Sequence, residues 1–225
     1  MLRNQGKAPV GQTVVRYLFL AAGIVLMALA GLFFSCSAIG MDPLSVFYSG
    51  VSAVLHIRLG SAAFLVGCVI LLILLFWDRA KIGIGTVAVV LGIGPLLNLF
   101  LRFFSYTPSG WVGKGASSLA GVAAFGLGMA FYLHADLGCG PVDALMLHFS
   151  ERSPVPLRTF KVLFDILCVI IGALLGGIFG IGTILAALLT GPAMCAVMKL
   201  LDCAEASQRN EVSVSHEAGI PDHIG

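Results

Sequence analysis

The chain has 225 residues, 59% of them hydrophobic and 11% charged, with a mean hydropathy of +1.02. A soluble domain carries roughly 25% charged residues, so this chain lacks the polar surface of a water-soluble globule and reads as an integral membrane protein. A net charge of +2, with basic residues scattered and no interleaved aromatic platform, excludes a nucleic-acid binder.

Residues 1–16, with Arg3, Lys7 and Arg16, form a short N-terminal segment. The apolar run that follows, 17–38, exceeds the roughly 7–15 residues of a signal-peptide core and is predicted to be a first transmembrane helix. Further apolar helices are predicted at 60–77, 84–104, 117–135, 158–178 and 180–201, each near the ~20 residues that cross a bilayer. Two shorter apolar segments, Pro43 to Ile57 and Pro141 to Ser150, fall after the first and fourth spans. Each opens on a proline, which suits the first turn of a helix because its missing N–H would be unpaired there. Residues 105–116 read as a connecting loop and 202–225 as a polar, disordered tail in which His216 and His223 are solvated.

Lys and Arg set the orientation. With six crossings and the N-terminus in the cytoplasm, ten of the thirteen basic residues fall inside and only Arg58, Arg102 and Lys114 outside, which satisfies the positive-inside rule. Both termini are therefore predicted to be cytoplasmic, and the expected address is a bacterial inner membrane. The six cysteines lie mostly within apolar runs without a CxxC pair and read as small hydrophobic residues.

The sequence repeats itself. "GMDPLS" (Gly40 to Ser45) matches "GCGPVD" (Gly138 to Asp143) at an offset of 98, and the Gly-Ile-Gly-Thr of "IGIGT" (Ile82 to Thr86) recurs in "FGIGT" (Phe179 to Thr183) at an offset of 97. Gly94-Pro95 likewise recurs as Gly191-Pro192. One single-residue gap near His56 to Gly60 reconciles the offsets. The predicted fold is thus all-α, a 3+3 inverted repeat of six transmembrane helices (17–104 and 117–201) with a half-helix after the first span of each repeat. An odd number of crossings per repeat makes the copies enter the membrane from opposite sides, the plan of many secondary transporters.

The Gly-x-x-Pro segments are the candidate substrate path. Gly40, Gly138 and Gly140 permit a tight turn, and Pro43 and Pro141 start a helix whose free N–H groups attract anions. Two arrangements fit: half-helices that re-enter the bilayer, or interfacial helices that reverse the chain. His134, Asp136 and Asp143 surround the second motif, and ionisable groups at membrane depth are functional candidates by default. Asp143 has a structural alternative as a carboxylate that satisfies helix-start N–H groups, and His134 and Asp136 have one at headgroup level. Asp165, in the fifth span, stands four residues after Lys161, where the two can pair, and is a candidate proton or cation group. Asn98 fits a bond to a neighbouring helix, and the Gly-Ile-Gly-Thr and Gly-Pro motifs fit close helix packing. The His and Asp spacings match no zinc motif, so neither metal nor other cofactor is expected.

"LGCGPVDAL", "GALLGGIFGIGT" and "LLTGPAM" together resemble the YczE/YyaS/YitT group of bacterial membrane proteins, whose pattern is a Leu-Gly-x-x-Pro-x-Asp segment, a Gly-rich turn ending Gly-Ile-Gly-Thr, and a Gly-Pro. Leu119 to Leu201 carries the match, and the first half is a degenerate copy with Ser45 where the second has Asp143. The resemblance implies a bacterial inner-membrane protein and assigns no activity.

The function expected is a small secondary transporter or permease for an unidentified small solute, in contact with lipid. The alternative is a non-transporting accessory or regulatory subunit, either a homo-oligomer or bound to a partner membrane protein. HExxH and GxSxG are absent from the sequence, so no enzyme is expected. A Walker motif is absent too, which leaves an ion gradient or a partner ATPase as the driving force.

Overall fold

The computed structural model describes residues 10–79, 82–104, 106–154 and 156–217. Among these it is all-helical: α1 (Val10–Ser37), α2 (Pro43–Leu55), α3 (Leu59–Trp77), α4 (Ile84–Phe104), α5 (Gly110–His134), α6 (Pro141–Glu151), α7 (Leu157–Leu174) and α8 (Ile181–Glu217). The two short segments are the helices α2 and α6, each with proline at its first positions.

Among the described residues, five helices are long and apolar enough to cross a membrane: α1, α3, α4, α5 and the part of α8 from Ile181 to Leu201. The fifth predicted span corresponds to α7, which is 18 residues long and carries Arg158, Lys161 and Asp165, and so is less apolar than the others.

Four boundaries differ from the sequence reading, one of them the end of α7 at Leu174 where a span to 178 was expected. α1 begins at Val10, so it takes in the end of the segment assigned to residues 1–16, whose first nine residues lie outside the described part. α5 begins at Gly110 and absorbs most of the expected loop 105–116; Gly110, at φ +67°, makes the turn that frees the chain to start a helix there. α8 runs on to Glu217, so residues 202–217 are helical where a disordered tail was expected. The reason is local: no Gly or Pro occurs between Pro192 and Gly219, and Ala204, Glu205, Ala206, Gln208 and Arg209 are good helix formers. The remainder of that tail, 218–225 with His223, lies outside the described residues.

Helix directions follow from which residues meet. Gly23 of α1 lies against Gly128 and Tyr132 of α5, while Phe34 lies against Gly121 and the Ser117 hydroxyl donates to the Phe33 carbonyl. Rising numbers in α1 thus meet falling numbers in α5, and the two are antiparallel. α4 runs parallel to α1, with Gly92 on Ile24 and Gly31 on Leu97. α8 runs parallel to α5, with Gly182 beside Ser118 and Gly126 beside Ala193. α3 is antiparallel to α4: Gly60 meets Gly94 and Asn98, and Gly67 meets Val90. Asn98 holds this last pair from its side chain, accepting from Gly60 N at 3.0 Å and donating to Ser61 Oγ at 3.0 Å. Each short helix bridges the halves, α2 packing on α3 and α7, and α6 on α7 and α3.

Candidate functional site

Two breaks, one after α1 and one after α5, lead into the short helices. Both need a glycine in the left-handed region, Gly40 at φ +129° and Gly138 at φ +122°, a conformation that costs an L side chain. In each, the residue two positions earlier also has positive φ, Ala38 at 53° and Asp136 at 50°. A glycine N–H from the start of a long helix then closes each break. Gly182 N donates to Ile39 O at 2.9 Å, and Gly85 N donates to Leu137 O at 2.9 Å. The Gly-Ile-Gly-Thr motifs are therefore more than packing surfaces, since their second glycines hold the broken backbone.

The threonine of each motif turns inward. Thr86 is fully buried; its Oγ1 accepts from Gly83 N at 3.1 Å and donates to the Cys139 carbonyl. Tyr132 OH donates to Gly138 O at 2.8 Å. Hydroxyls thus satisfy the carbonyls of the second break, as a buried backbone requires. Thr183, also buried, accepts from Gly180 N at 3.4 Å. Neither Thr86 nor Tyr132 is singled out by the sequence, because their partners lie in the breaks of the folded chain. The only local signal is the identical tetrapeptide.

The carboxylates occupy complementary positions. Asp42 is the N-cap of α2, its Oδ2 accepting from Ser45 N at 3.2 Å. In α6 the N-cap is Gly140 and the carboxylate has moved to Asp143 in the first turn. Asp143 Oδ2 would lie 3.0 Å from a β-carbon at Gly140. Each short helix therefore carries one acidic group at its positive end, where it is favoured. Asp42 is buried, and its Oδ1 makes no hydrogen bond.

α7 supplies the charge between them. Lys161 Nζ and Asp165 Oδ1 are 3.1 Å apart. This pair lies within electrostatic reach of Asp42 and of Asp143. Tyr48 is within reach of both carboxylates, and Cys168 of Asp42 and the α7 pair. The structure thus gathers Asp143 and Asp165 from the sequence candidates and adds Asp42, Lys161 and Tyr48. Gly40, Pro43, Gly140 and Pro141 are buried in the two helix starts, and Gly138 is half-buried. Asp136 is exposed at its turn, and the ring of His134 packs edge-on against Phe19 at 5.0 Å. Among the described residues, no group of three His, Cys, Asp or Glu is placed to hold a metal ion.

His148 belongs elsewhere. Its Nδ1 lies 2.9 Å from Asp78 Oδ2, and its Nε2 lies 2.8 Å from the Arg152 guanidinium. The same guanidinium nitrogen also lies 2.6 Å from Nδ1, so it sits against both ring nitrogens. The indole of Trp77 stacks on the His148 ring at 6.0 Å. This cluster joins the C-terminal end of α6 to that of α3.

Several apolar helices of membrane length, with breaks at glycine turns between them, define a multi-pass membrane protein. The chain belongs to the family of unknown function DUF6198, which matches residues 14–199. It is 27% identical over 181 residues (80% of this chain and 84% of the relative) to an uncharacterised membrane protein of Bacillus subtilis, YczE. It is also 28% identical over 151 residues (66% and 67%) to an uncharacterised protein of Haemophilus influenzae. The resemblance read from the motifs is borne out. No solved structure matches the chain.

Proposed function

We propose that the protein is a small secondary transporter, not an enzyme, that carries a small solute between two inverted three-helix repeats. α7 makes the sixth crossing, and both termini lie on the cytoplasmic side of a bacterial inner membrane. The observation that carries this reading is the shared charge: the starts of α2 and α6, on different repeats, both reach the Lys161–Asp165 pair. The antiparallel run of α1 and α5 supports opposed repeats, and broken helices meeting at a polar centre suit a transporter's binding site. In proteoliposomes loaded in turn with amino acids, organic anions and inorganic cations, the full chain should give saturable uptake of at least one solute, and Lys161→Ala should abolish it. Absence of flux for every solute, from protein that is folded, counts against the carrier.

One feature favours a second reading, a non-transporting accessory subunit or a homo-oligomer. α7 and α8 bury little of their apolar surface, with Leu163, Leu188 and Leu200 well exposed. That reading expects a specific partner, or a second copy, to co-purify in mild detergent, and normal phenotype in Asp143→Asn.

A further inference from the structure

The first break holds a buried polar group that its own cap does not explain. Capping α2 needs one carboxylate oxygen of Asp42, and Oδ2 takes the Ser45 N–H. The other, Oδ1, is left with no donor, although Asp42 is only 6% exposed. An ionised oxygen so placed is costly unless a proton or a cation joins it. The ammonium within reach is that of Lys161, and it is engaged with Asp165 at 3.1 Å. Asp42, Asp143 and Asp165 thus share one lysine, which cannot neutralise three carboxylates. Tyr48 and Cys168 are further ionisable groups around Asp42. A second bare polar atom, Ser118 Oγ, lies beside Gly182, the residue that closes this same break.

We propose that the first break is a proton site: Asp42 carries a proton on Oδ1 in this conformation, and once that proton leaves for bulk water, Asp42 draws Lys161 away from Asp165. The proton removes the negative charge for which Oδ1 finds no donor in the protein. Its loss creates a charge for which Lys161 is the one cation in range among the described residues, and Asp165 gives up its partner in exchange. Lys161 is tethered to α7 and the two acids to α2 and α7, so the exchange changes the contact between the first break and α7. The use of this proton to drive solute rests on the carrier reading above, whereas its binding does not.

The test is infrared difference spectroscopy of the full chain in lipid vesicles as pH is raised, following the C=O stretch of protonated carboxyl groups. Wild type should lose an acid band on titration. Asp42→Asn should lack that band from the start, while Asp143→Asn keeps it. Asn caps a helix as well as Asp, so the fold should be retained; should it not be, Asp42→Ser, also a good cap, takes its place. Lys161→Met removes the partner of the ionised form, and should raise the pH at which the Asp42 band disappears by about one unit, a tenfold change in proton affinity. A band unchanged in the Asp42 variants overturns the site, and an unmoved titration in Lys161→Met overturns the exchange. Replacing choline by sodium at fixed pH should leave the band intact, and its loss would overturn the proton as the ligand in favour of sodium. A band that behaves as expected in a protein without solute flux separates the outcomes: the proton site stands and the carrier reading falls.

Discussion

The break after α5 is fastened by side chains, Tyr132 holding the Gly138 carbonyl and Thr86 the Cys139 carbonyl. The break after α1 repeats the backbone, with glycine φ values of +129° and +122°, yet Phe34 stands in Tyr132's place with no hydroxyl to offer. The short helices that follow show the reverse. α2 lies directly on α7, with Gly50 against Gly172, Gly177 against the Val46 carbonyl, and the Ser49 hydroxyl accepting from Ile178 N at 3.2 Å. α6 has His148 where α2 has Gly50, and meets α3 through the polar bridge to Asp78. The backbone of the break has been kept in both copies, while its fastening has been divided. One copy has its break carbonyls held by hydroxyls and its short helix bridged at the end, and the other has a side-chain cap from Asp42, no such hydroxyls, and a short helix locked along its length. A carboxylate free to change partners belongs in the copy whose break is less tied.

The largest expected effect probes the locked junction. A β-carbon at Gly172 would stand 2.6 Å from the backbone of Val46, so Gly172→Leu should destabilise by about 3 kcal/mol or more. The equivalent position in the other junction, Leu75, is 41% exposed, and Leu75→Ala should change stability by less than about 0.5 kcal/mol. Thermal unfolding in detergent measures both, and similar shifts would break the comparison. Next comes the fastening of the breaks. Thr86→Val strips a donor from Cys139 and an acceptor from Gly83, which should cost about 2 kcal/mol. Thr183→Val, with one longer bond to lose, should cost about half as much in the same assay. A last variant sharpens the comparison. Tyr132→Phe gives the second break the side chain of the first and should cost about 1 kcal/mol. Hydrogen exchange at Gly138 to Gly140 should rise with it, and an unchanged rate would show that the hydroxyl does not fasten that segment.

The architecture was legible where the chain has little choice. Positive φ demands Gly40 and Gly138, a helix start accepts Pro43 and Pro141, and apolar runs of membrane length become helices. The pair of Lys161 and Asp165 and the reach of Asn98 across to α3 followed from spacing and from the cost of polar groups in lipid. The roles of Thr86 and Tyr132 did not follow, because a hydroxyl's partner is chosen by folding, and Cys139 lies 53 residues from Thr86. Nothing in the sequence singles out Asp42 from other acidic residues beside a proline. Only burial separates its two oxygens, one bonded and one bare. The start of α5 and the extension of α8 were hidden for a different reason. Polar residues stop an apolar pattern without stopping a helix, which ends only where backbone or capping chemistry ends it.

The glycine seam between α1 and α5 has a consequence for how the chain is made. Gly23 finds its partner Gly128 only after more than a hundred further residues have left the ribosome. Until then the first helix sits in the bilayer with its smallest, most self-complementary face uncovered. This close crossing is thus among the molecule's later contacts, and a nascent chain arrested after α4 has made half its helices without closing that face.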